Sequence, residues 1–442
     1  MTVRTLTRDQ HDISRKAISP GALRTLYGLK EAGFDAFLVG GAVRDLLIGV
    51  LPKDFDIATN ATPEEIQRVF RNCRLVGRRF VIAHVRFGGE IIEVTTFRGS
   101  EGLGDRHIEE GGRILRDNIF GSIEEDALRR DFTVNALYYN IADFSVLDFV
   151  GGLKDLEKRE LKLIGDVATR YREDPVRMLR AARLKAKLGF TMARETEREI
   201  AELNPLLAEI PPARLFDEVL KLFLSGHALA SWAEMQRLGL IEALFPAMRP
   251  AVIRRNNTFL LAALGNTDAR IDLGKSVTPA FLFAAFGWAL MQHRLAERGS
   301  DMGKISFDDR LVMFDAALLD TAERVAMPRR FSLQVRDIWE LQGRLTDTTP
   351  SRARKLVANA RFRAGYDFLL LRAYSDERLH DWAQRWTDAQ DANANFEAIF
   401  GAHRSTRAAE LDFEPASEAQ TLRKRKRRVR SRSAKPKVSA PE

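Results

Sequence analysis

Cysteine is almost absent from this chain. Cys73 is the only one in 442 residues, which excludes an internal disulfide and a cysteine-built zinc cage and fits a reducing, cytoplasmic setting. Long hydrophobic runs are missing too. The longest, Pro279 to Met291 (PAFLFAAFGWALM), falls short of the roughly 20 apolar residues that a membrane-spanning helix needs and reads as a buried core helix. Met1 to Pro20 is polar and charged and does not read as a signal peptide. No internal repeat is visible. Most of the chain also lacks a charge bias. The net charge is +9, yet residues 421–442 hold ten Lys or Arg against the single acid Glu442, so the other 420 residues are neutral overall.

What is present divides the chain. Hydrophobic residues make up 45% and charged residues 30%, the balance of an ordinary folded protein, and the length calls for more than one domain. Ser19-Pro20 reads as an N-cap with proline at the first helical position, ahead of the stripe Leu23, Leu26, Tyr27 and Leu29, with Gly33 closing the helix. Phe37–Val39 reads as a buried strand, and Thr62-Pro-Glu-Glu65 as a capping box opening a helix through Phe70. Phe80–Phe87, Gly88-Gly89 and Glu90–Phe97 predict a β-hairpin with a two-residue turn. Residues 99–112 read as a glycine-rich loop, and residues 133–148 as a further β element. After about residue 155 strand signals stop, and from Glu173 to about Phe400 the apolar spacing is helical. The expectation is a small mixed α/β head followed by an elongated all-α neck, body and tail. The expected pieces are an N-terminal extension (1–20), head (21–154), helical neck (155–235), helical RNA-binding body and tail (236–412), and a disordered basic end (413–442).

The chemistry concentrates at Leu38-Val-Gly40-Gly41-Ala-Val43-Arg44-Asp45, followed by Asp54-Phe-Asp56. A strand running into two glycines and a helix start bares backbone N–H groups that suit a polyphosphate. Residues i and i+2 of a strand share a face, so Asp54 and Asp56 could share magnesium beside those phosphates. Magnesium prefers oxygen ligands and keeps waters, so two or three carboxylates suffice. An Asp-x-Asp pair alone is common on exposed strands; joined to the paired glycines it points to nucleotide transfer by two Mg²⁺ ions. Two residues compete as a third acid. Glu93 sits mid-strand among apolar neighbours, and Asp131 follows two arginines in Arg129-Arg130-Asp131-Phe-Thr133. Either could instead be structural, and the spacing does not choose.

A third segment, Glu173-Asp174-Pro-Val-Arg177-Met-Leu-Arg180-Ala-Ala-Arg183, reads as a helix capped by Asp174, with Pro175 first. Its three arginines spread over about 120° of one face. Downstream, Arg352, Arg354, Lys355, Arg361, Arg363 and Arg372, with Tyr366 and Phe368, are weak candidates for holding an RNA backbone; Phe368 reads better as core, and solvated surface is the alternative for the arginines. Arg423, Lys424, Arg425, Lys426, Arg427 and Arg428 form a cationic arm suited to phosphate backbones. His84 reads as a solvent-facing strand histidine.

These motifs, in this order over residues 11 to about 400, resemble the nucleotidyltransferase family shared by bacterial poly(A) polymerases and class II CCA-adding enzymes. The resemblance implies a nucleotidyltransferase head, with Asp54, Asp56 and Asp131 at active-site acid positions and Gly41, Arg44 and Arg130 at triphosphate positions. It also makes the Glu173 segment a protein template for the incoming base. Adenine offers an N6 donor and an N1 acceptor, which Asp174 and Arg177 match; Arg180 and Arg183 would lie nearer ribose and phosphates. Arg214-Leu-Phe-Asp-Glu218 matches a bracing helix, with Arg214 and Glu218 spaced to pair. Gly77-Arg78-Arg79-Phe80 with His84, and Arg116 to Arg130, favour the polyadenylating branch. The implied activity is template-independent transfer of AMP from ATP to RNA 3′ ends (mRNA, regulatory RNA and, in the second branch, tRNA), by a cytoplasmic monomer, with RNA-decay proteins as candidate partners. The alternatives are CCA or A addition to tRNA, and a non-catalytic RNA-binding relative. The joint presence of Asp54, Asp56, Gly41 and Arg44 argues against the last.

Overall fold

Ser19 accepts a hydrogen bond from the Ala22 N–H at 3.1 Å, and Pro20 takes the first helical position, so α1 runs Pro20–Glu31. Thr62 and Glu65 cap each other at the start of α3, Pro63–Val69. Between them lies α2, Gly41–Leu47. Ser122 and Glu125 make a second capping box, which opens α4, Ile123–Arg129. The structure, a computed structural model, describes residues 3–77, 81–99, 106–108, 114–117, 120–300, 305–391 and 393–401. Arg78, Arg79 and Phe80, residues 118–119 and the cationic arm at 423–428 lie outside them.

The strands are β1 (Arg4–Leu6), β2 (Ala36–Val39), β3 (Asp56–Thr59), β4 (Cys73–Val76), β5 (Ile82–Phe87), β6 (Glu90–Thr96), β7 (Arg106–Ile108), β8 (Ile114–Asp117), β9 (Leu137–Asn140) and β10 (Val146–Asp148). Eight form one mixed sheet in the order β1-β10-β9-β2-β3-β6-β5-β4, in which only β3 and β6 run parallel. The hairpin read around Gly88-Gly89 is present, with Phe87 opposite Glu90. Two expectations change. Residues 4–6, read as part of an extension, supply an edge strand. Within the stretch read as a loop lies β7, which pairs with β8 just beyond it.

Register assigns the faces, because directly paired residues point to the same side. Tyr138, Val39, Asp56, Glu93 and His84 line up across β9, β2, β3, β6 and β5. Tyr139, Leu38, Ile57, Val94 and Ala83 line up on the opposite face. Beneath the first face, Phe37, Val39, Ala58, Phe97, Ala127 of α4, Tyr138 and Phe149 make a buried cluster.

After α5 (Gly152–Glu157) the chain is helical: α6 (Val167–Glu173), α7 (Val176–Leu188), α8 (Arg194–Leu203), α9 (Pro212–Phe223) and further helices to Phe400. One short exception is a parallel pair of two-residue strands, Glu160–Leu161 with Thr191–Met192. The apolar helix Pro279–Glu297 buries every residue from Ala280 to Met291, as a helix apolar on all sides must. Its Phe283 stacks on Phe216 of α9 at 5.8 Å. The chain divides into two compact units, Met1–Arg336 and Asp337–Glu442. The described part of the second has its own core around Leu345, Phe362, Leu369, Trp382 and Trp386.

Candidate active site

β2 delivers the chain to Gly40, whose φ of 73° and ψ of −138° are open to glycine and strained for other residues. α2 starts at the next residue with no side-chain cap, which leaves its first N–H groups available. A Cβ placed on Gly40 would lie 3.7 Å from Arg130 Nη1 and 3.9 Å from Asp56 Oδ2. The glycine bend, an arginine and an acid therefore meet at one point.

Asp56 opens β3 between Val39 and Glu93. Asp54 lies two residues earlier, outside the strand, so strand alternation does not fix its side chain. Crowding by protein, together with the negative charges of Glu93 and Asp54, pushes the Asp56 carboxyl up to about 6 against the pull of Arg130 and Arg180. Uncompensated negative charge of this kind is what a divalent cation relieves. Among the described residues no three His, Cys, Asp or Glu side chains could cage a metal together. An Asp54–Asp56 site would thus draw its remaining ligands from substrate oxygens and water, which fits Mg²⁺. Glu93 is half-exposed and lies 3.6 Å from His84.

Asp131 stands differently. Its Oδ2 accepts from Arg180 Nε at 2.7 Å and from Arg180 Nη2, while Oδ1 accepts from the Phe132 N–H at 2.8 Å. Burial alone would raise this carboxyl, but the Arg180 charge and these hydrogen bonds hold it well below the usual carboxylate range. Asp131 anchors Arg180, and Arg180 in turn acts on the charge of Asp56.

Arg130 is set from behind. Its Nε donates to Tyr138 Oη at 2.8 Å and its Nη2 to Asp126 Oδ2 at 2.9 Å. Tyr138 also donates to Asp126 Oδ2, at 2.6 Å. Burial would weaken the Arg130 charge, yet Tyr138 and Asp126 raise its pKa. Nη1, the atom nearest Gly40, is left without a hydrogen bond among the described residues. Arg44 is placed otherwise. It is 2% exposed, and its fork is spent on Asp45 Oδ1 (Nε at 2.8 Å, Nη2 at 2.5 Å) and on Asn135 Oδ1 (2.5 Å). A triphosphate contact from Arg44 would require that fork to open.

α6 and α7 meet at Asp174-Pro175. Asp174 does not cap α7 with its side chain. Its Oδ2 accepts from Arg214 Nη2 of α9 at 2.8 Å, and only its backbone oxygen receives the Arg177 N–H, at 3.0 Å. The expected Arg214–Glu218 pair is therefore replaced. Glu218 accepts from Lys221 Nζ at 2.9 Å, while Arg214 reaches across 40 residues to Asp174. Arg177 Nη1 donates to the Arg170 carbonyl at 2.6 Å and to Glu173 at 3.2 Å. Among the described residues, Arg183 Nε is buried without a hydrogen-bond partner. Burial and neighbouring Arg180 lower its pKa.

Sequence reasoning missed three contributors. Asp126 carried a signal, since it lies four residues before Arg130. Tyr138 and Arg170 carried none. Arg170 Nη2 donates to the Arg129 and Arg130 carbonyls at 2.7 and 2.6 Å, tying α6 to the last turn of α4.

A glycine bend with acids and arginines gathered at it is the arrangement of a nucleotidyltransferase, and residues 36–162 match the Poly A polymerase head domain family. Residues 189–252 match the probable RNA and SrmB-binding site of polymerase A, and residues 312–433 its arginine-rich C-terminus. Poly(A) polymerase I of Salmonella typhi is 45% identical over 96% of this chain and 92% of its own length. The chain belongs to the poly(A) polymerase I family. A CCA-adding enzyme of Lactobacillus gasseri is 39% identical over 50% of this chain and 54% of its own. The crystal structure of the Bacillus stearothermophilus CCA-adding enzyme in complex with CTP superposes with a TM-score of 0.59 at 26% identity, covering 84% of this chain and 82% of that one.

Proposed function

We propose that the chain adds AMP from ATP to RNA 3′ ends without a template. The 3′-hydroxyl oxygen attacks the α-phosphorus, the bond to the bridging oxygen of the β-phosphate breaks, and pyrophosphate leaves. Asp54 and Asp56 would hold the metal; Mg²⁺ bound there would activate the attacking hydroxyl and offset charge on the departing phosphates. The N–H groups after Gly40 and the open Nη1 of Arg130 receive the triphosphate, which positions the α-phosphorus beside Asp56. Arg180, steadied by Asp131, adds positive charge at the same place. Asp174, held by Arg214, accepts from adenine N6, and Arg177 donates to N1 once the base draws it from Glu173. Arg183 is the neighbouring cation with a donor still open. ATP and RNA ends as substrates put the work in the cytoplasm, where tailing would mark RNA for decay.

The observation that carries this reading is the meeting of Asp56 Oδ2 and Arg130 Nη1 at the Gly40 bend. The second reading, addition of C, C and A to tRNA, draws on the likeness to the CCA-adding structure. Purified protein given single nucleotides with either oligoadenylate or tRNA lacking its CCA end separates the two. Long A tracts on both primers support the proposal. Ordered addition of C, C and A that then stops supports the alternative.

A further inference from the structure

On the sheet face opposite Asp56 there is a cavity of about 610 Å³, within the range of small-molecule sites, roughly 300–1,000 Å³. It is lined by Arg8, Arg15, Lys16, Tyr27, Tyr139 and Phe144, over a floor that includes buried Ile13 and Ile18. Tyr139 pairs with Leu38, whereas its neighbour Tyr138 pairs with Val39, the strand partner of Asp56. The cavity is therefore separated from the catalytic acids by the thickness of the sheet.

Its composition is specific. Tyr139 is 1% exposed as a residue, and it lines the cavity with a hydroxyl that makes no hydrogen bond among the described residues. Arg15 lies 5.0 Å from the Phe144 ring centre and spends one Nη donor on Tyr27 Oη at 3.1 Å. Arg8 spends one on the His11 carbonyl at 2.8 Å. Among the described residues the remaining guanidinium donors, and Lys16 Nζ, have no hydrogen-bond partner. The nearby acid Asp143 is already engaged by Ser145, through its N–H at 3.0 Å and its hydroxyl at 2.7 Å. Phe144 holds its ring in place from a backbone φ of 62°, with its carbonyl 2.8 Å from His11 Nε2.

Aromatic rings beside guanidiniums hold unpaired bases, and open cationic donors hold phosphate. A buried phenol offers one directional hydrogen bond to a base edge or a ribose. We propose that this cavity is a second nucleotide-binding site, taking one nucleotide 5′-phosphate either free or as a unit of single-stranded RNA upstream of the 3′ end. The proposal deepens the RNA-end reading by giving the strand a hold behind the head. It has its own readout, because it concerns where a nucleotide sits and not whether tails grow.

Photo-cross-linking on the full chain tests it with two probes: 8-azido-AMP, and oligoadenylate carrying 5-bromouridine upstream of its end. Peptides are then mapped by mass spectrometry. Labelling of peptides containing Tyr27, Tyr139 or Phe144 is expected. Capture of azido-AMP there identifies free nucleotide as a ligand, whereas capture of the RNA probe alone identifies the strand. Arg8→Glu with Arg15→Glu should cut that labelling by about ten-fold or more, the loss of charge-assisted contacts, while tailing of a trinucleotide primer is unchanged. Tyr139→Phe keeps the packed ring and should weaken labelling by about five-fold, the value of one hydrogen bond. Cross-links confined to the active-site peptides, or cavity labelling untouched by either variant, would overturn the assignment, whatever the tailing assay shows.

Discussion

Replacing Gly40 by alanine isolates the backbone from the space around it. The added methyl would meet only Arg130 Nη1 at 3.7 Å and Asp56 Oδ2 at 3.9 Å, which are ordinary contact distances. The torsions decide the outcome, because φ 73° with ψ −138° costs a residue with a Cβ on the order of 1–3 kcal/mol. If the bend holds, the whole cost falls on stability. If it relaxes, the N–H groups of α2 swing away from the Arg130–Asp56 point, and a misplacement near 1 Å costs about 100-fold in turnover. Gly41→Ala is the control. Gly41 has no positive φ, its Cβ would meet the Arg44 guanidinium, nearest at Nη2, 3.4 Å away, and alanine favours a helix by up to about 1 kcal/mol over glycine. Urea unfolding with single-turnover extension of oligoadenylate reads both quantities. Gly40→Ala should lose stability, turnover or both, and Gly41→Ala should lose far less. A Gly40→Ala enzyme matching wild type on both measures, or a Gly41→Ala enzyme that fares worse, refutes the reasoning.

Four further outcomes are expected. Asp54→Ala or Asp56→Ala should remove several kcal/mol of transition-state stabilisation, roughly three decades in turnover, with folding intact by circular dichroism, and chelation of divalent ions should match that loss. Asp131→Asn should cost about 2 kcal/mol, less than a fully buried pair because Arg180 keeps 35% of its side chain exposed. The Asp131 carboxyl is depressed in the fold, so its contribution is complete above the unfolded value near 4 and fades as pH falls toward the folded value; urea midpoints for wild type and Asp131→Asn should therefore converge below about pH 4, and a constant gap would contradict this. Arg214→Ala should free Asp174 and reduce ATP-over-CTP discrimination by about five- to ten-fold, the worth of a charged hydrogen bond, so an unchanged ratio in competition assays would remove the brace. Deleting residues 421–442 should weaken binding to oligoadenylate and flatten its salt dependence, since each phosphate contact adds about 0.7 to the logarithmic slope on single strands; an identical slope would exclude the arm from binding.

Local signals in the sequence carried the scaffold of the site. Ser19-Pro20, Thr62 with Glu65, and Gly88-Gly89 act on neighbours three residues away or fewer, and each does in the fold what its chemistry announces. Gly40 was legible for the same reason, because paired glycines between a strand and a helix start mark a bend that other residues would strain to adopt. Partnerships across long separations were not legible. Asp131 meets Arg180 over 49 residues, and Arg214 meets Asp174 over 40. Spacing offered Glu218 to Arg214 at four residues, but the fold sets the Asp174 carboxylate, at the end of α6, 2.8 Å from Arg214. Arg44 illustrates the same limit, since a basic residue in the first turn after a glycine bend looks available until the fold sets Asp45 and Asn135 against it.

The ties running from the sheet into the first neck helices have a consequence for recombination. Arg170 grips the α4 carbonyls, Arg180 grips Asp131, and Lys187 Nζ sits 3.1 Å from Asp45 Oδ2. Asp174 in turn depends on Arg214. A chimera spliced at residue 155 would take one half of each of the first three partnerships from either parent. The smallest cassette that could be traded between homologues without orphaning a charge thus begins with the sheet and closes only after α9.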